Sequence, residues 1–112
     1  RDRVKDMIVS GGENIYPVEV EKALVDHPHV ADVAVIGIPD AKWGETVLAL
    51  IVPTKSAPDA AAIDAFCRGR IAGYKCPRRI EFVDSIPRNA AGKILRRALR
   101  DPYWNRHERR VG

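Results

Sequence analysis

The chain has 112 residues, 46% of them apolar, and a formal charge of +4, which fits one domain with one modest core and no covalent staple. Its apolar runs are too short to cross a bilayer and no signal-peptide pattern opens it, so the expected compartment is the cytosol. Two cysteines without CxxC or zinc-finger spacing argue against a metal framework: Cys67 is expected in the core and Cys76 as a reduced surface thiol.

In chain order, Met7 to Val9 and Glu13 to Ile15 read as short strands joined by Gly11-Gly12, two glycines that permit the positive φ a tight hairpin needs. Pro17 suits the first turn of a helix in which Val20, Ala23 and Leu24 form a buried stripe, ended by His27-Pro28. Glu19 and Glu21 point to different faces of that helix and complement its positive end. Val33 to Ile38 and Thr46 to Val52 are β-branched runs bounded by Pro39-Asp40 and Pro53, and read as central strands. Ser56 or Pro58 is expected to open a second helix, with Ile63, Phe66, Cys67 and Ile71 on one face and Gly73 at its end. Ile80 and Phe82 mark a third, buried strand. Ile94, Leu95, Ala98 and Leu99 form the inner face of a last helix, and the tail from Tyr103 to Gly112 is expected to fray or to dock elsewhere. The sum is an α+β domain spanning residues 1–112: a small central mixed sheet flanked by helices, with a short N-terminal β-hairpin. Arg1 reads as an internal position of a longer chain.

Charge is placed unevenly. Residues 1–66 carry six Lys/Arg against eleven Asp/Glu, a balance of −5, and residues 67–112 carry thirteen against four, a balance of +9. The basic half should attract anions. Nucleic acid is disfavoured because few aromatics are interleaved with the arginines for bases to stack on. His27, His29 and His107 lack partners at the spacing of a triad or metal site. Gly92-Lys93 is followed by Ile94 rather than Ser or Thr, so it is not a P-loop.

One stretch stands out: Pro87-Arg88-Asn89-Ala90-Ala91-Gly92-Lys93-Ile94-Leu95-Arg96-Arg97. Proline fixes the backbone, Asn89 tolerates turn conformations, and Gly92 is expected to allow close approach of a ligand to the backbone. Lys93 then presents a compact charge suited to a phosphate or carboxylate. Taken locally, the same pattern is also that of a solvated lysine at a helix start.

Together with the segment from Arg1 through Asp2-Arg3-Val4-Lys5-Asp6 and Ser10-Gly11-Gly12-Glu13-Asn14 to Glu21, this stretch resembles, in order and spacing, the C-terminal domain of the adenylate-forming enzymes. Within them the likeness is to the acyl-CoA synthetases, and it runs from Arg1 to about Leu99. It implies a catalytic lid whose large N-terminal adenylation domain lies in the same polypeptide and holds most of the ATP and Mg2+. The implied reaction joins a carboxylic acid, expected to be a fatty acid, to AMP and then to coenzyme A.

In that scheme Lys93 is the adenylation lysine, Lys5 the hinge and Arg3 a nucleotide contact. Gly11, Gly12, Glu13, Trp43, Tyr74, Lys75 and Arg78 line the path of CoA; Cys76 departs from the basic residue often found beside them. No metal site falls within this chain, the isolated domain is expected to be inactive, and peripheral membrane association of the whole enzyme stays open. Two alternatives remain: another adenylate-forming enzyme with the same domain, or a non-catalytic anion-binding or dimerisation module. Read without the resemblance, Gly11-Gly12 is only a hairpin turn, Arg3 and Lys5 are solvated charges, and Trp43 packs in the core.

Overall fold

A computed structural model describes residues 6–54 and 59–111, and the side chains through 106. The expected hinge Lys5 and nucleotide contact Arg3 lie outside these residues, as do Ser56 and Pro58. In chain order the elements are β1 (Ile8–Ser10), β2 (Glu13–Ile15), α1 (Pro17–Val25), β3 (Val30–Asp40) and β4 (Gly44–Pro53), then α2 (Ala60–Arg68), a 3-10 turn (Gly73–Lys75), β5 (Arg79–Phe82) and α3 (Arg96–Val111).

β3 and β4 form a long antiparallel pair in register from Asp32 opposite Val52 to Asp40 opposite Gly44. Their unbroken apolar runs arise because both faces of the pair are covered. Val33, Val35, Val47, Ala49 and Ile51 face a core completed by Val20 and Leu24 of α1 and by Ile63 and Cys67 of α2. On the opposite face, Ile36, Ile38, Leu48 and Leu50 meet Leu99 and Tyr103 of α3. β1 and β5 share one edge of β4, β1 at Gly44 and β5, in parallel, along Leu48 to Ile51. The sheet is therefore mixed, as expected.

The β1–β4 ladder holds a single residue pair, and a side chain extends the hydrogen bonding: Val9 N–H donates to Glu45 Oε1 at 2.7 Å. Asp59 caps α2, accepting from Ala61 N–H at 3.0 Å, which is the N-terminal stop that the sequence placed earlier.

Several expectations are corrected. α2 ends at Arg68 with Gly69 as its cap, so Ile71 reaches the core from the following loop. Phe66 is half-buried at the margin of the core, edge-on to His27 and under the Arg70 guanidinium. Phe82 is 38% exposed, because β5 is a short edge strand. α3 begins at Arg96, leaving Ile94 and Leu95 in the preceding hairpin.

The tail also departs from expectation. α3 continues to Val111, anchored where Tyr103 Oη donates to Glu81 at 2.7 Å and Trp104 Nε1 to the Gly37 carbonyl at 2.9 Å. Cys76 is buried rather than exposed; its thiol lies 3.7 Å from the Ala72 carbonyl and beside Cys67. Burial, and then the neighbouring Cys76, push the Cys67 thiol up to about 12.

Candidate functional site

Lys93 stands on a hairpin of its own. Arg88 and Ile94 pair as an antiparallel bridge, Asn89 N–H donates to the Lys93 carbonyl at 2.9 Å, and Leu95 N–H donates to the Pro87 carbonyl at 3.0 Å. Inside the loop the Asn89 Oδ1 accepts from both Ala91 N–H at 2.9 Å and Lys93 N–H at 3.0 Å. That double acceptance is the physical role of the asparagine: it replaces backbone carbonyls that a five-residue loop cannot supply. Gly92 has φ +86°, and a Cβ there would meet nothing within 4 Å. Its positive φ is the left-handed backbone conformation that favours glycine.

The Lys93 side chain is exposed and borders an open groove of about 1010 Å³, lined also by Tyr16, Val18, Asn89, Leu95 and Arg97. Tyr16, Val18 and Leu95 are each about two-fifths exposed, an apolar rim beside the charged tip.

Two arginines fasten the hairpin at its ends. Before the loop, Arg88 forks onto both oxygens of Asp32 at the start of β3, with Nη2 to Oδ1 at 2.9 Å. The Arg88 hydrogen bond holds the Asp32 carboxyl below its ordinary range. After the loop, Arg96 Nη2 donates to both Glu21 oxygens at 2.6 and 2.7 Å, and Arg96 Nη1 lies 3.8 Å from Asp6. Both side chains of the Arg96–Glu21 pair are only 13% exposed. Glu21 also accepts from Val35 N–H of β3 at 2.8 Å. Burial raises its pKa, against the lowering pull of that N–H and of Arg96.

Glu21 thus does more than complement a helix end. It lies four residues after Pro17 and three before Leu24, both buried, so helical spacing alone puts it at the margin of the core stripe. The sequence signal was present; its partner, 75 residues away, was not.

The second candidate region gathers on the opposite hairpin. Gly11 and Gly12 have φ +59° and +86°, the two-residue turn expected from the sequence. Gly11 N–H donates to the Trp43 carbonyl at 2.9 Å, and a Cβ on Gly11 would come within 2.5 Å of the Trp43 ring. The Arg78 guanidinium covers that ring at 4.3 Å and the Lys42 ammonium lies 5.1 Å from its centroid. Asp40 sets the loop by accepting from Lys42 and Trp43 N–H at 2.8 and 2.9 Å.

The structure therefore brings Gly11, Trp43 and Arg78 together, with Trp43 half-buried against a glycine rather than in the core. Gly12 faces open space, Glu13 is exposed opposite Ser10, and Tyr74 is exposed. Lys75 is committed to Glu19, with Nζ 3.0 Å from each carboxylate oxygen.

The uneven charge along the chain is partly settled internally. Arg70 pairs with Asp26, Lys75 with Glu19, Arg88 with Asp32, Arg96 with Glu21, and Arg100 approaches Glu45. Basic residues of the second half thus meet acidic residues of the first. Among the described residues no group of three or more His, Cys, Asp or Glu could hold a metal ion, and no helix is long and apolar enough to cross a membrane.

Residues 19–93 match the model of the AMP-binding enzyme C-terminal domain. The chain is 48% identical over 103 residues to a long-chain-fatty-acid–CoA ligase of Mycobacterium tuberculosis, covering 92% of this chain and 20% of that protein. It is 47% identical over 112 residues to a fatty acid–[acyl-carrier-protein] ligase of Streptomyces coeruleorubidus, covering 99% of this chain and 22% of that one. Among solved structures, a Mycobacterium tuberculosis fatty acyl CoA synthetase superposes with a TM-score of 0.85 at 48% identity, over 90% of this chain and 20% of that one. The chain thus spans about a fifth of the length of the relatives it matches.

Proposed function

Because the chain belongs to the family of AMP-binding enzyme C-terminal domains, we propose that it is the catalytic lid of a longer acid–CoA ligase acting in the cytosol. An N-terminal adenylation domain of the same polypeptide binds ATP and the carboxylic acid, here read as a fatty acid, and joins them as an acyl-adenylate with release of pyrophosphate. The observation that carries this reading is Lys93: an exposed ammonium on a tightly bonded hairpin at the edge of an open groove.

The carboxylate attacks the α-phosphorus, and negative charge builds on the surrounding oxygens. A fixed cation placed there lowers the barrier electrostatically. The hairpin fixes the backbone of the lysine, and the four-carbon stem supplies reach.

In the second stage the glycine hairpin replaces the lysine hairpin at the reaction centre, with the turn at Lys5 and Arg3 on the nucleotide. Gly12 leaves room for a pantetheine arm, while Trp43 and Arg78 offer an aromatic face and a cation to the CoA nucleotide, with Tyr74, Lys75 and Glu13 at the margins. The thiol displaces AMP and the acyl thioester forms.

A second reading concerns the acceptor. The relative from Streptomyces coeruleorubidus is named for a carrier-protein thiol, and the exposed Gly12 turn suits a pantetheine arm from either source.

The test uses the whole enzyme, its two half-reactions measured separately. Lys93→Ala should reduce pyrophosphate exchange about 10²- to 10³-fold, the scale for losing one preorganised charge-stabilising donor. It should spare thioester formation from supplied acyl-adenylate, while Gly12→Leu should do the reverse. Unchanged pyrophosphate exchange in Lys93→Ala would reject the assignment. Offering CoA and a pantetheinylated carrier protein in parallel separates the two acceptors.

A further inference from the structure

We infer that Glu21 is a positioning residue for the adenylation step: through Arg96 it holds the outgoing end of the Lys93 hairpin against α1 and β3. The inference rests on the function proposed above for Lys93, and its argument is geometric. A hairpin of this kind can pivot about its two ends unless both are tied. Arg88 ties the incoming end to Asp32, and Arg96, three residues beyond the lysine, ties the outgoing end to Glu21.

The Arg88 tie is a two-point contact between planar groups, Nη1 to Oδ2 and Nη2 to Oδ1, which resists rotation as well as separation, whereas Arg96 bridges both Glu21 oxygens through Nη2 alone and has Asp6 beside Nη1. They also share a base. Asp32 and Val35 belong to the same strand, and Glu21 accepts from Val35 N–H. The loop is therefore referenced at both ends to β3, the most extensively paired strand with β4.

Stability alone does not account for Glu21. Its burial disfavours the charged form that the Arg96 contact uses, and buried ion pairs are often no more stabilising than apolar residues of similar volume. What such a pair supplies is a fixed geometry. A lysine whose task is to meet charge that develops only in the transition state depends on that geometry: a displacement near 1 Å costs about 10²-fold in rate.

Asp6 lies at the far side of the same guanidinium, 3.8 Å from Nη1. Arg88 lies close enough to lower the Glu21 pKa through its charge. The two ties and Asp6 thus form one charged network beneath the loop.

The experiment compares variants of the whole enzyme in both half-reactions. Glu21→Gln keeps the shape and an acceptor oxygen for Val35 N–H but removes the charge-assisted hold of both carboxylate oxygens on Arg96 Nη2. It should lower the rate of pyrophosphate exchange about 10- to 100-fold, leave thioester formation from supplied acyl-adenylate within about twofold, and keep the melting temperature within about 4 °C. Introduced into Lys93→Ala, it should change pyrophosphate exchange by less than about twofold, because a residue that acts through the lysine has nothing left to position.

Equal losses in both half-reactions, or a full loss persisting in the Lys93→Ala background, would overturn the inference. Should Glu21→Gln not fold, Asp32→Asn tests the other tie, whose partners are about one-third exposed, and the same split between half-reactions is expected. If Lys93→Ala suppresses pyrophosphate exchange while Glu21→Gln and Asp32→Asn are silent, the positioning role fails and the function stands. If Lys93→Ala is itself silent, both fall.

Discussion

The molecule carries two hairpins that are stiffened by different means. The Gly11-Gly12 turn is held by backbone geometry and by the Trp43 ring pressed against a residue with no side chain. The Lys93 hairpin is held by side chains: the Asn89 amide inside the loop and two arginine–carboxylate pairs at its ends. The contrast fits the tasks proposed for them. A turn that a pantetheine arm must pass benefits from bare backbone, whereas a loop that aims a charge benefits from directional hydrogen bonds whose strength depends on angle.

That contrast is broken most severely at Gly11. An alanine there combines left-handed φ with a 2.5 Å approach to Trp43, so Gly11→Ala should cost about 1–3 kcal/mol in chemical denaturation. Gly12→Ala has the same kind of φ but open space around it, and should cost about 1 kcal/mol. Equal costs at the two glycines would show that the tryptophan contact adds nothing.

A smaller effect separates the other hairpin. Asn89→Ala removes the acceptor for two N–H groups in an exposed loop, where water can replace it, so global stability should move by less than about 0.5 kcal/mol. Pyrophosphate exchange should nonetheless fall about tenfold, since the lysine backbone loses its anchor. Asn89→Asp, which keeps the acceptor, should recover most of the rate. A variant whose stability and rate fall in parallel would contradict the view that this loop is organised for aim.

The smallest effect is a dependence on pH. Asp32 has a folded pKa below its ordinary value of 3.8, so its contribution to stability is present above that value and is lost as pH falls through the depressed one. Glu21 has the opposite sign. Its folded pKa lies above 4.5, so relative to Glu21→Gln the native protein gains stability as pH falls and loses it as pH rises through the folded value. Melting temperatures measured from pH 7 to pH 3 should therefore show the Asp32→Asn deficit shrinking below about pH 4, while the wild type improves relative to Glu21→Gln. Parallel pH profiles for the two variants would mean that the two ties share one environment.

Much of the architecture was legible along the chain. The Gly-Gly turn, the proline-led α1, the two long β-branched strands and the isolated lysine all report local constraints: allowed φ, a missing donor, steric preference at Cβ, and side-chain charge. Each of these acts over a few residues. Where local reading went astray, a distant partner had decided the outcome. Cys76 looked like a thiol in a basic surface loop and is buried because Cys67 and the core close over it. The tail looked polar and continues as a helix because Tyr103 and Trp104 find Glu81 and Gly37. The charge imbalance between the two halves did not show which basic residues would be paired; folding brings Arg70, Lys75, Arg88 and Arg96 onto acidic residues of the first half.

The amino-acid order by itself thus determined the glycine hairpin, α1, the long strands β3 and β4, that the domain is α+β, and which lysine is set apart in a loop, since those follow from backbone sterics and periodicity within one or two turns of chain. Tertiary structure alone decided what holds that loop still. The ties from Arg88 to Asp32 and from Arg96 to Glu21 span 56 and 75 residues, and such contacts depend on how helix and sheet pack in space, a distance that no local pattern encodes.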